Sequence, residues 1–191
     1  GDIRYEDLNG DGVIDSRDQT VIGRGDTPEI FFGLNLNVNF KNFDFSVLLQ
    51  GASNFNRYYS EELQNPFFNN ANSLSLYQDR WHREDLYDPN SAWAPGKYPS
   101  TIISGSANNQ RYSTFWLQDA TYLRVKNVDL GYTFANTLTE KIGMRKARIY
   151  VSGQNVFTFS KVKFIDPEQP NGRGNFYPTQ KLWTLGLNVG F

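Results

Sequence analysis

The sequence predicts an all-β chain whose strands, about five in number, belong to a large transmembrane antiparallel β-barrel with long extracellular loops. Three observations predict it. Five segments alternate apolar and polar residues with a period of two. Those segments run roughly 9 to 13 residues, longer than the about 5 to 6 usual in soluble strands and close to the about 9 to 11 that a tilted strand needs to cross a bilayer. The connections alternate short and long, as in barrels with short periplasmic turns and longer extracellular loops.

The first strand is Phe32 to Phe40, where Phe32, Leu34, Leu36, Val38 and Phe40 alternate with Gly33, Asn35, Asn37 and Asn39. The turn Lys41-Asn42 leads into the second, where Phe43, Phe45, Val47 and Leu49 alternate with Asp44, Ser46, Leu48 and Gln50; the two form a tight hairpin. The third is Tyr122 to Phe134. Leu123 and Val125 share one phase and Val128, Leu130, Tyr132 and Phe134 the other, so a β-bulge is expected at Lys126-Asn127. A connection with one helical turn at Leu138 to Ile142 leads to the fourth strand, Ala147 to Phe159. The fifth, Lys181 to Phe191, alternates Trp183, Leu185, Leu187, Val189 and Phe191 with Thr184, Gly186, Asn188 and Gly190. If the last strand runs inward, both long connections, Ala52 to Thr121 and Ser160 to Gln180, fall outside the cell, and both short ones face the periplasm. The chain then reads as 1–27, an extracellular loop; 28–51, a barrel hairpin; 52–121, a long extracellular loop; and 122–191, the last three barrel strands with their connections. Five strands do not close a membrane barrel, which takes about 8 or more, so the missing strands are expected upstream.

Composition narrows the function. The net charge of −1 gives no electrostatic footprint for nucleic acid. The absence of cysteine removes disulfides, thiolate metal sites and cysteine nucleophiles. No apolar run reaches the about 18 residues of a transmembrane helix. The mean hydropathy of −0.57 would suit a soluble protein, yet it equally suits barrel strands with one wet face. Aromatic residues make up 16% of the chain, and a barrel has girdles at both membrane interfaces to take them. The chain begins at Gly1 and its single methionine is Met144, which reads as a processed product or a fragment.

The strongest local motif is D-L-N-G-D-G-V-I-D-S-R-D, Asp7 to Asp18. It follows the twelve-residue calcium-loop spacing: Asp7 at position one, Asn9 at three, Asp11 at five, the Val13 carbonyl at seven, Asp15 at nine and Asp18 at twelve, with Gly12 at the sharp turn. An Asp/Asn/Gly turn without metal has the same letters, and both readings stand. The flanks lack the paired helices of an EF-hand, so a structural calcium ion (Ca2+), or another divalent cation, would pin a loop rather than act as a sensor. The long connection carries thirteen aromatic residues from Phe55 to Trp116, enough for a small core of its own and for contacts to a ligand or partner. No catalytic set emerges. His82 is the only histidine and is expected on an exposed surface. Glu61 and Glu62 would point to opposite faces if extended. Gly172-Arg173-Gly174 lacks the rest of a dinucleotide fingerprint.

Four ordered blocks, G-D-I-R-Y-E-D-L-N-G-D-G-V-I-D, D-A-T-Y-L-R-V-K-N-V-D-L-G-Y, R-I-Y-V-S-G-Q-N-V-F-T-F and L-G-L-N-V-G-F, resemble the C-terminal part of SusC/RagA-type TonB-dependent outer-membrane transporters. The resemblance covers nearly the whole chain, least firmly Ala52 to Ser113. It implies a barrel of about 22 strands with an N-terminal plug and TonB box that lie outside this sequence. It implies residence in the outer membrane of a Bacteroidetes-type Gram-negative cell, in contact with its lipid, and no enzymatic activity. It implies import of large nutrients, glycans (oligosaccharides) or oligopeptides, driven by TonB and capped by a SusD-like surface lipoprotein. The family's calcium-like loop carries over onto Asp7, Asn9, Asp11, Val13, Asp15 and Asp18, and its terminal aromatic, the barrel-assembly signal, onto Phe191. No substrate residue carries over. The competing expectation from the residues alone is a secreted, calcium-stabilised β-sandwich that binds glycans.

Overall fold

The computed structural model describes residues 1–102 and 106–191 and divides into two compact units. One comprises Thr27–Phe55, Ala120–Lys161 and Pro178–Phe191. It is a single antiparallel sheet in the order β1-β2-β7-β8-β9, formed by β1 (Ile30–Phe40), β2 (Phe43–Ser53), β7 (Tyr122–Thr133), β8 (Lys146–Ser160) and β9 (Leu182–Gly190). The strands are 11, 11, 12, 15 and 9 residues long. All five expected strands are present, and the alternation that defined them also sets their register.

The β1–β2 hairpin closes on the pair Phe40–Phe43, with Lys41 at φ +54° in the left-handed region that tight hairpin turns need. The expected bulge is present. Lys126 is the extra residue of β7 opposite Leu48-Leu49, and the β7–β8 ladder passes from Val125–Phe157 to Asn127–Gln154 across it. The insertion returns Leu123 and Val125 to the same face as Val128 and Leu130, which is the physical purpose of the slip. The helical turn is α1 (Asn136–Thr139) continued by a 3-10 turn, Glu140–Ile142, and ended by Gly143 at φ +76°.

The register places Val38, Phe45, Leu130, Val151 and Leu185 in one cross-strand row, and every row of that phase is dominated by large apolar side chains. Among the described residues none covers this face: Leu34 is 59% exposed, Leu185 72% and Phe157 57%. In water such a face would aggregate; in lipid it is matched. The opposite face carries Asn35, Asn37, Ser46, Asp129 and Ser152. Across it Arg148 reaches Asp129 at 2.5 Å and Asp44 through a bidentate pair whose Nε arm measures 3.0 Å. Gly131 lets this happen, because a Cβ there would fall onto the Arg148 guanidinium. The Arg148 guanidinium also lies 4.8 Å from the Tyr150 ring centre.

The second unit comprises Gly1–Asp26, Asn56–Asp119 and Val162–Tyr177. Its regular structure is slight: the two-stranded pairs β3 (Asn56–Tyr58) with β6 (Leu117–Asp119) and β4 (His82–Arg83) with β5 (Trp93–Ala94), together with short 3-10 turns. Yet it holds a true core. Tyr59, Leu63, Leu76, Tyr77 and Trp116 are buried, and the Tyr98 and Trp116 rings stack at 6.3 Å. Among the described residues no helix is long and apolar enough to cross a membrane, a statement that does not bear on crossing by strands.

Candidate functional site

The Asp7–Asp18 loop is built from side chains that satisfy backbone donors. Asp7 Oδ1 accepts from Gly10 N and Oδ2 from Gly12 N, both at 2.7 Å. Asn9 Oδ1 accepts from Asp11 N at 2.8 Å, and Asp11 Oδ1 from Val13 N at 2.9 Å. These are successive Asx turns, and Gly10 (φ +77°) and Gly12 (φ +82°) supply the left-handed residues the path requires. Asp18 closes the loop: its carboxylate accepts from Leu8 N, Asn9 N and Asp15 N, while Asp15 accepts from Arg17 N in a reciprocal capping box. The backbone donor from Asp15 holds the Asp18 carboxyl below the usual range, and the Arg17 guanidinium does the same for Asp15.

The six residues with calcium-loop spacing are therefore on one compact turn. Among the described residues, however, no three His, Cys, Asp or Glu side chains converge as a metal cluster. What lies between Asp11 and Asp15 is Arg17, with Nη2 2.6 Å from Asp11 and 2.8 Å from Asp15. The chemistry of the donors fits a hard cation, because every side chain ends in oxygen and a carboxylate accepting one or two N–H bonds keeps further lone pairs. The guanidinium between two of the carboxylates marks where positive charge is favoured.

The loop is moored at its base. Ile3 N donates to Asn109 Oδ1 at 2.8 Å, Asn109 Nδ2 to Asp2 at 2.8 Å and Asn108 Nδ2 to the Ile3 carbonyl at 3.0 Å. The Asn109 carbonyl in turn accepts from the buried Trp116 indole at 2.7 Å. Nothing in the sequence singles out Asn108 and Asn109, because ordinary asparagines acquire this role only through contacts more than a hundred residues apart.

A second construction joins the segment 162–177 to the long connection. Arg173 pairs with Glu62 through Nη2 at 2.6 Å and Nε at 3.1 Å, and with Glu61 at 2.6 Å. Ser60 N donates to the Gly172 carbonyl at 3.0 Å, and the Tyr59 hydroxyl both donates to the Lys163 carbonyl and accepts from Lys163 N. Burial pushes the Tyr59 phenol up to about 12, so it remains a donor at any physiological pH. Gly172 is required because a Cβ would strike the Tyr58 carbonyl. Glu61 and Glu62 thus lie on one cation instead of facing apart: Glu61 has φ +47°, which turns the chain out of the extended path. Arg173→Gln is expected to speed amide exchange severalfold both at Ser60 and across 162–177, checked by hydrogen-exchange mass spectrometry. Arg173 holds the Glu62 carboxyl below its ordinary 4.5. With the folded value depressed, the clasp is fully formed above about 4.5 and weakens as pH falls through that lower folded value.

The aromatic residues of the long connection divide. Tyr59, Tyr77, Tyr98 and Trp116 build the core of their unit, whereas Tyr87 is 97% and Tyr112 83% exposed. Tyr112 is backed by Tyr58, ring centres 4.5 Å apart. His82 is half-buried in β4 rather than exposed, with Nδ1 2.9 Å from the Arg80 carbonyl.

No family profile matches the chain. Whole sequences do. The chain is 33% identical over 208 residues to TonB-dependent receptor P26 of Formosa agariphila, covering 100% of this chain and 20% of that protein. It is 31% identical over 192 residues to TonB-dependent receptor SusC of Bacteroides thetaiotaomicron, covering 98% of this chain and 17% of that one. The chain belongs to the SusC/RagA-type TonB-dependent receptors.

SusC/RagA-type TonB-dependent receptors are outer-membrane proteins, and the five-stranded sheet matches part of such a barrel, left open in this chain. The fold agrees. The RagAB peptide importer in its open-open state superposes with a TM-score of 0.64 at 22% identity, over 94% of this chain and 19% of that one; a second RagAB structure gives 0.65. A SusC/RagA-type receptor of the matched length is about five times longer than this chain, which spans only about a fifth of it. The matched proteins are named as receptors and importers, not enzymes.

Proposed function

We propose that this chain is the C-terminal part of an outer-membrane importer of large nutrients, glycans or oligopeptides, that is driven by TonB and works with a SusD-like lipoprotein. The observation that carries the proposal is the end-to-end alignment with SusC, 98% of the chain at 31% identity. The single sheet supports it: one face is apolar and bare, the other polar and braced by charge. A β-sandwich would need a second sheet packed on that bare face. Both long connections leave the sheet from the end where Tyr122 pairs with Ser160, and in this reading that end faces outward.

Calcium is proposed as a structural ion of the Asp7–Asp18 loop, held by Asp7, Asn9, Asp11, Asp15, Asp18 and the Val13 carbonyl. Bound there, it would supply positive charge that fixes the loop and no reaction chemistry. Phe191, 82% exposed and in the phase of Val189 and Leu187, is proposed as the barrel-assembly signal.

The test uses the complete receptor in its own cell. Removal of β8 and β9 is expected to abolish outer-membrane insertion and with it the energy-dependent uptake of labelled oligosaccharide and oligopeptide pools. The 191 residues alone, without detergent or lipid, are expected to aggregate. A sharp cooperative unfolding transition in plain buffer would overturn the membrane-wall reading and restore the sandwich.

A further inference from the structure

We infer that Arg17 is the resident cation of the Asp7–Asp18 loop, and that calcium enters only by displacing it. The inference rests on the calcium reading above and goes beyond it, because it assigns the loop's affinity to a residue outside the ligand set.

The geometry is specific. Arg17 Nη2 lies 2.6 Å from Asp11 Oδ2 and 2.8 Å from Asp15 Oδ2, and Nε lies 3.1 Å from both Asp15 oxygens. Asp11 and Asp15 are positions five and nine of the calcium spacing, so the arginine holds oxygens that the metal needs. A guanidinium cannot lose its proton in a protein, and its donors form a rigid fork. An oxygen lone pair aimed at an N–H is not free for calcium, which takes about 6 to 8 oxygens.

The rest of the loop is closed on its own backbone N–H groups. Asp7, Asn9 and Asp11 Oδ1 are occupied with Gly10, Gly12, Asp11 and Val13 N–H groups, and Asp18 with Leu8, Asn9 and Asp15. To free the Asp11 and Asp15 oxygens the Arg17 side chain must swing out. It is free to do so, being 61% exposed. Four aspartates in twelve residues repel one another unless a cation sits among them. The loop accordingly has two closed forms, one on its own arginine and one on calcium, and an open form when both are absent.

The experiment is calorimetric titration of calcium chloride into the complete receptor in detergent, as wild type, Arg17→Gln and Asp7→Asn. The site of interest is the one that Asp7→Asn removes. Hydrogen exchange of the loop in EDTA accompanies it. Arg17→Gln is expected to bind calcium roughly three- to tenfold tighter, since two exposed ion pairs no longer compete. In EDTA its loop is expected to exchange faster than the wild type. Equal affinity in wild type and Arg17→Gln, with binding still lost in Asp7→Asn, overturns the role of Arg17 and leaves the calcium reading intact. No calcium bound at an Asp7-dependent site in any variant overturns both.

Discussion

Arginine in place of Val47 is expected to destabilise the complete barrel by about 2–4 kcal/mol, whereas arginine in place of the adjacent Ser46 costs under about 1 kcal/mol. Val47 is near the middle of β2, paired with Leu36 and Val128 on the apolar face. There a guanidinium has no partner and no water. Ser46 is one residue away on the other face, paired with Asn37 and Asp129, where the same guanidinium meets water and a carboxylate. Chemical unfolding of both variants in lipid vesicles checks the prediction. Equal costs at the two positions would mean that the faces have been assigned wrongly, since a membrane strand makes neighbouring residues live in opposite solvents.

Arg148→Met is expected to destabilise the barrel by about 1–2 kcal/mol, because it leaves the Asp44 and Asp129 carboxylates facing each other across Gly131 without a cation. The upper end of what a buried pair loses does not apply: the side chains of Asp44 and Asp129 retain 34% and 30% of their exposure, and the wet interior screens them. Replacing all three groups together, Asp44→Asn, Asp129→Asn and Arg148→Met, is expected to recover most of the loss, since the penalty lies in uncompensated charge and not in the absent pair. Urea unfolding of the single and triple variants in detergent separates the two terms. A triple variant as unstable as Arg148→Met would assign the loss to packing over Gly131 and Tyr150 instead.

The sheet was legible in the sequence in nearly complete form. Period-two alternation is a property of the extended backbone itself, so Phe32 to Phe40 announces a two-faced strand without reference to any neighbour. The break in that alternation at Lys126 announced the bulge for the same reason. The turn at Lys41-Asn42 and the helical turn ending at Gly143 are equally local. The Asp7–Asp18 spacing was legible too, and in the structure the loop closes on its own backbone N–H groups. That its Arg17 sits among the aspartates was not, because the spacing names ligands without naming the cation between them.

What the tertiary structure alone decided concerns residues that meet across long stretches of chain. Arg173 and Glu62 are 111 positions apart, and Glu61-Glu62 looked divergent until the positive φ of Glu61 turned them onto one guanidinium. Asp44, Asp129 and Arg148 each sit on the polar phase of a different strand, and only the ladder register makes them a triad. Aromatic content could not say that Trp116 is core and Tyr112 is surface. By itself the sequence determined the strands, their two faces and the acidic loop, because local backbone geometry and solvent preference are written residue by residue. Which loop residues fasten to one another was decided only by the fold, because such contacts depend on where distant segments come to rest.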